Sequence, residues 1–211
     1  MLTFMSEGGL RELKKARTRR TIADAAARLF AERGYEQVAV SDVAREAEVS
    51  EQTIYNHFRT KEQLVTDLHQ HFQDELDRLI RTRPPRTSPA AAIRELVLDT
   101  VEGIRRVPPE QWRGELGCLA AISPTVHRLL LEMSDRLANA IAAAISQDST
   151  ITPETAKLQG IALAGVFQII ITEAGQRTLE GQTQDQIADV LHPAIAAVLD
   201  DLDRWLAPHA N

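Results

Sequence analysis

Apolar residues recur three and four positions apart along nearly the whole of this 211-residue chain, and no stretch sustains the alternation of a half-buried strand. A chain patterned this way can bury its apolar surface only by packing helix on helix. One stripe runs Ile22, Ala25, Ala26, Leu29, Phe30 and stops at Gly34, the residue type that closes a helix in the left-handed conformation. A second runs Leu64, Val65, Leu68, Phe72, Leu76, Leu79, Ile80 and ends before Arg83-Pro84-Pro85-Arg86. Ser88-Pro89, Ser123-Pro124 and Thr152-Pro153 each set a capping hydroxyl before a proline suited to the first helical position. Thr60 to Gln63 and Thr183 to Gln186 read as capping boxes. These starts predict an all-α fold of about nine helices joined by short loops. Aromatics are only 4% of the residues, and alanine and leucine, the best helix formers, are abundant.

The net charge of −6 speaks against nucleic acid until it is resolved along the chain. Residues 1–61 hold 11 Lys/Arg and 9 Asp/Glu, a net of +2; residues 62–211 hold 13 and 21, a net of −8. A basic start on an acidic body suits a DNA-reading head on a body that does not touch DNA. The single cysteine, Cys118, allows no disulfide framework within the chain. The most apolar run, Gly160 to Ile171, is shorter than the roughly 18 residues of a bilayer span, and the N-terminus lacks a signal-like apolar core. A cytoplasmic location with no membrane partner is expected.

The last two stripes are wider than the rest. Residues 161–171 are apolar nearly all round, and Ile187, Val190, Leu191, Ala194, Ile195, Val198, Leu199, Leu202, Trp205 and Leu206 follow on the final helix. A helix apolar on all sides must be covered on all sides. A second copy of the chain is the expected cover, with Ile187, Leu191, Ile195, Val198 and Leu202 as interface candidates; a thick monomeric core is the alternative. Pro193 should kink or split the last helix near His192.

Residues 39–58 read as two short helices around a tight turn. Val40 to Ala47 turns Val43, Ala44 and Ala47 inward, Glu48-Val49 makes the turn, and Ser50 caps a second helix to Phe58. Ile54 and Phe58, four apart, face the core. Glu51, Gln52, Thr53, Tyr55, Asn56 and His57 are left outward, a short-armed polar face of the kind that reads base edges in a major groove. A helical hairpin inside a bundle is the plain alternative.

The stretch VSDVAREAEVSEQTIYNHFRTKEQLV resembles the helix-turn-helix of the tetracycline-repressor (TetR) family, and the likeness covers roughly Arg17 to Leu68. It rests on the stripe ending in Phe30 and Gly34, then Val43-Ala44, Ala47, Val49-Ser50, Ile54-Tyr55, His57-Phe58, Lys61 and Leu64. The resemblance implies a head at residues 1–60, with a flexible basic arm at 1–12, and a ligand-binding and dimerisation domain at 61–211. It places Gln52 and Thr53 at base or phosphate contacts, Tyr55, His57 and Lys61 at phosphates, and Arg20 and Thr21 near the DNA backbone. Asn56 joins Gln52 and Thr53 as a base reader, and Ser50 belongs to the site as its cap. Three positions depart from the pattern. Glu48 stands where glycine is common, Ala39 where a hydroxyl cap is usual (so the helix is expected to start at Ser41 instead), and Glu51 where basic or small residues are common.

The same resemblance implies an effector cavity between about Pro89 and Gly181. Its candidate lining is Val97, Val101, Trp112, Cys118, His127, Met133, Phe167, Gln168 and Thr172. No cofactor, metal site or catalytic constellation is expected. His69 and His71, two apart on a helix, point to different sides, and no nucleophile elbow, phosphate loop or Cys-x-x-Cys is present. The expected function is a ligand-responsive repressor that binds a pseudo-palindromic operator in double-stranded DNA as a homodimer and is released by a small hydrophobic effector. A helical interaction protein or a small-molecule enzyme without DNA binding is the alternative.

Overall fold

A computed structural model describes residues 7–147 and 151–207, with the side chains of 7–10, 67–72 and 109–110 outside the description. Residues 1–6 of the expected arm, and the side chains of Leu68, His69, His71 and Phe72, therefore lie outside the described residues. The described chain is all helical: α1 (Glu7–Arg33), α2 (Val40–Glu46), α3 (Glu51–His57), α4 (Lys61–Arg81), α5 (Pro89–Gly103), a 3-10 turn (Ile104–Arg106), α6 (Pro109–Trp112), α7 (Leu116–Ile122), α8 (Pro124–Ile145), α9 (Pro153–Leu179) and α10 (Gln184–Leu206). Residues 7–12, part of the expected arm, belong to α1.

Local chemistry sets most of these ends. Ser88, Ser123 and Thr152 accept from the amides of Ala91, Val126 and Thr155 at 3.0, 3.1 and 3.3 Å. Thr183 and Gln186 form the reciprocal box that opens α10. At α4 the box fails: Thr60 makes no cap bond, and Gln63 Oε1 instead accepts from the Arg59 amide at 2.7 Å. Gly34 ends α1 with φ of 78°. The α10 helix continues through Pro193 rather than splitting. Pro193 and Asp189 are both exposed, so the ring and the carbonyl that loses its amide partner face outward.

Two cores organise the helices, and neither follows the 60/61 boundary. The larger joins α5, α8, α9 and α10 around Ile93, Val97, Ile141, Leu163 and Leu191. The smaller holds the residues of α1 to α3 together with Leu64 and Val65 of α4, Leu116 and Leu119 of α7, and Val126 and Leu130 of α8. The head is thus packed on α7 and the start of α8. The α4 helix enters both cores, with Leu64 in one and Ile80 in the other.

The α10 helix docks on α5 by its apolar side and by ion pairs, Arg94 to Asp200 at 2.6 Å and Arg105 to Asp185 and Asp189 at 2.9 and 2.6 Å. This corrects the expected interface. Ile187, Leu191 and Ile195 are 0, 3 and 3% exposed because they fill the chain's own core, and Leu202 is half-buried against it. Of the five candidates only Val198 faces outward. Beside it, Val190 and Trp205 of α10 and Leu158, Ile161 and Ile169 of α9 form exposed apolar stripes. By length and composition α9 is apolar enough to cross a bilayer, but half of its most apolar window is buried inside the chain.

Candidate nucleic-acid interface

The turn between α2 and α3 is tight because Glu48 takes a left-handed conformation, φ 54°. That is costly for a residue with a Cβ. It lets the Val49 amide bond the Ala44 carbonyl at 2.9 Å, closing the turn. The α2 helix starts at Val40 and not at Ser41. Ala39 has no side chain with which to cap, and the Asp42 carboxylate accepts the Ala39 amide at 3.0 Å in its place. This bond is the first cause holding the Asp42 carboxyl below its usual pKa.

Ser50 caps α3 by accepting the Thr53 amide at 3.1 Å, and its hydroxyl lies 2.8 Å from that of Thr53. Ile54 and Phe58 are 1 and 0% exposed and fix the helix from beneath. Tyr55 is 47% exposed, and Glu51, Gln52 and Asn56 are exposed with it. Gln52 Nε2 donates to Asn56 Oδ1 at 3.3 Å, so the two amides form one exposed polar patch. Thr53 and His57 are half-buried. Arg20 and Thr21 are exposed on α1, where Thr21 donates to the Arg17 carbonyl at 3.1 Å.

Lys61 does not join this surface. Its ammonium donates to the Tyr35 carbonyl and sits 4.1 Å from the Tyr35 ring centroid. Burial lowers its pKa. Sequence reading missed Arg19, whose guanidinium donates to the His57 carbonyl and lies 4.4 Å over the Phe58 ring. It ties the end of α3 to α1, and the cation on an aromatic face adds to the bond. Behind the head, Ser123 donates to Glu36, so the cap of α8 also holds the loop after α1.

Residues 22–68 match the bacterial regulatory proteins, tetR family. The chain belongs to the tetR family. It is 39% identical over 55 residues, 26% of this chain, to the A-factor receptor protein of Streptomyces griseus. It is 38% identical over 64 residues, 30% of this chain, to an HTH-type transcriptional repressor of Mycobacterium tuberculosis. The chain spans only 20% and 34% of the lengths of these relatives. The fold is like that of SmeT in its complex with triclosan (TM-score 0.57, 16% identity, covering 86% of this chain and 90% of that one). It is also like NalD, the secondary repressor of the MexAB-OprM efflux pump in Pseudomonas aeruginosa (0.56, 18%, covering 93% and 100%).

In this tetR-family chain the expected cavity residues do not share one hollow. Trp112 and Cys118 line an inner, largely apolar cavity of about 140 Å³ with Ile104, Ile170 and Ala174. The Trp112 indole donates to Thr178 Oγ1 at 2.5 Å, and burial pushes the Cys118 thiol up to about 11. His127 and Thr172 line a separate surface groove. Val97, Val101 and Phe167 are packed in the larger core, Met133 packs against the smaller one, and Gln168 is half-buried on α9. Sequence reading missed Glu115, which lines the inner cavity and also an outer cleft of about 430 Å³ against α1. Among the described residues no three His, Cys, Asp or Glu side chains gather to hold a metal.

Proposed function

We infer that this protein is a dimeric transcription regulator that binds operator DNA through α3 and responds to a small molecule held near α7. The observation that carries the reading is the two-sided α3 helix. Ile54 and Phe58 are sunk in the core while Gln52, Tyr55 and Asn56 stand free on a capped, rigid support. Gln52 and Asn56 are bidentate side chains suited to adenine edges, with Thr53 beside them. Tyr55, Arg20 and Thr21 are placed to meet phosphates, which set register and carry no sequence information. Lys61 supports Tyr35 and enters this reading as a structural residue. The A-factor receptor and repressor names of the relatives favour the same function over an enzyme or a DNA-free interaction protein.

The exposed stripes of α9 and α10 support a homodimer. Gly165 lies between Ile161 and Ile169, and a Cβ built on it meets nothing within 4 Å. An interior helical glycine costs about 1 kcal/mol relative to alanine, and nothing in its own chain packs there. A partner helix approaching closely would use that gap. A two-fold dimer sets two α3 helices into successive major grooves about 34–36 Å apart. A cytoplasmic setting follows from this reading. Footprinting on DNA upstream of the protein's own gene tests it. Two protected half-sites about one helical turn apart are expected, and uniform or absent protection would refute the reading.

A further inference from the structure

Glu115 stands where three helices meet. The residue before it, Gly114, packs its backbone on α1, where a Cβ would come within 1.9 Å of the Ala27 carbonyl oxygen. Two residues later, Gly117 packs on α9, where a Cβ would lie 2.2 Å from the Ile171 carbonyl oxygen. Leu116 and Leu119 are part of the core of the head. The Glu115 side chain faces the seam between two hollows, the outer cleft under α1 and the inner apolar cavity, whose shared walls are Gly103, Val107 and Glu115.

The carboxyl of Glu115 has no hydrogen-bond partner among the described residues, and the charge that acts on it is another carboxylate, Asp24, across the outer cleft on α1. Burial first, and Asp24 second, raise its pKa to about 7. A buried polar group left unmatched costs free energy that a bound molecule can return. The cations nearby are turned elsewhere. Arg19 is held by the His57 carbonyl and the Phe58 ring, and Arg106 donates to the Asp99 carbonyl at 3.5 Å. Arg20 and Arg113 are exposed. The Cys118 thiol, the other titratable neighbour, stays protonated. The α4 wall supplies Leu64 and Val65, and the α9 wall Ile170, Ile171 and Ala174, none of them charged.

We propose that the effector is an organic cation with an apolar body, bound with its ammonium between Glu115 and Asp24 and its apolar part toward the Trp112 and Ile170 side of the inner cavity. This deepens, and rests on, the reading of the chain as a ligand-responsive regulator. An outer cleft of about 430 Å³ is within the range of small-molecule sites. An ammonium there satisfies the unmatched carboxylate and screens it from Asp24. It also bridges α1, which carries the head, to the α7 wedge, so its binding bears directly on how the head is held.

Calorimetric titration with octyltrimethylammonium, below its micelle concentration, tests the proposal. The probe keeps its charge at every pH, so any pH dependence belongs to the protein. One site per chain is expected, with affinity rising about tenfold from pH 6 to pH 8 as Glu115 ionises. Glu115→Gln should lose at least tenfold at pH 8 and flatten the profile. Asp24→Asn should lose a few-fold, and octyl sulfate should bind more weakly than the cation. Wild-type affinity in a folded Glu115→Gln, a flat pH profile, tighter binding of octyl sulfate, or no binding would each overturn it. Operator affinity without probe, measured on the same samples, separates the two readings. Intact DNA binding with failed probe binding removes the cation site alone. Absent DNA binding with saturable, pH-dependent probe binding removes the regulator and leaves the site.

Discussion

Glu115 also makes the fold's stability depend on pH. Its folded pKa of about 7 lies above its ordinary value of 4.5, so the folded chain holds this proton more tightly than the unfolded chain. The resulting stabilisation is complete below pH 4.5 and is lost as pH rises through 7. Glu115→Gln should therefore melt like wild type at pH 5 and be stabilised at pH 8 by roughly 2–3 kcal/mol. Thermal melts at the two pH values check this, and equal shifts at both would contradict it. Tyr55 is the opposite kind of residue. It is exposed and makes no ring contact, so Tyr55→Ala should leave stability within about 0.5 kcal/mol while weakening binding to every DNA sequence. Lys61→Ala should do the reverse and destabilise by about 1 kcal/mol, because it strips a half-buried carbonyl of its donor. At this scale Ser50, Ile54 and Phe58 were legible, since cap and anchor are set within eight residues. Lys61 and Glu115 were not. Their surroundings come from Tyr35 and Asp24, which lie 26 and 91 positions away.

Among the elements, α7 decides how ligand and DNA sites communicate. It is only seven residues long, yet it touches the head through Leu116 and Leu119, α9 through Gly117, and both hollows through its cap residue Glu115. Gly114→Ala forces α1 away from this wedge, because the clash is with backbone that has no rotamer to yield. Overpacking of this kind costs roughly 1–3 kcal/mol. Chemical denaturation should show that loss, with operator affinity falling alongside it. An unchanged midpoint and affinity would mean that α7 does not support the head. Helix starts such as Ser88-Pro89 and Thr152-Pro153 were readable because capping is local chemistry. The box at Thr60 misled because Gln63 reached the Arg59 amide one residue earlier. The cavity lining was misplaced for a related reason. Periodicity marks Val97, Val101 and Phe167 as inward, but cannot tell a packed interior from a hollow.

For the whole molecule, the wide stripes on the last two helices did signal two covered surfaces, but not which residues serve which. The chain spends Ile187, Leu191 and Ile195 on its own core and leaves Leu158, Ile161, Ile169, Val190, Val198 and Trp205 outside. Ile161→Glu should give a folded monomer in sedimentation experiments, since a charge there burdens only an interface; a dimer that survives would exclude this face. The account rests most heavily on α3 meeting DNA with its polar side. Its most direct test is the affinity of wild type and Gln52→Ala for the footprinted operator and for a scrambled duplex of equal length, at several salt concentrations. Wild type should prefer the operator, with affinity falling steeply as salt rises. Gln52→Ala should lose most of that preference, by about 1–3 kcal/mol, while its binding to the scrambled duplex stays as it was. A wild type indifferent to sequence, or a Gln52→Ala that keeps the full preference, would contradict the account.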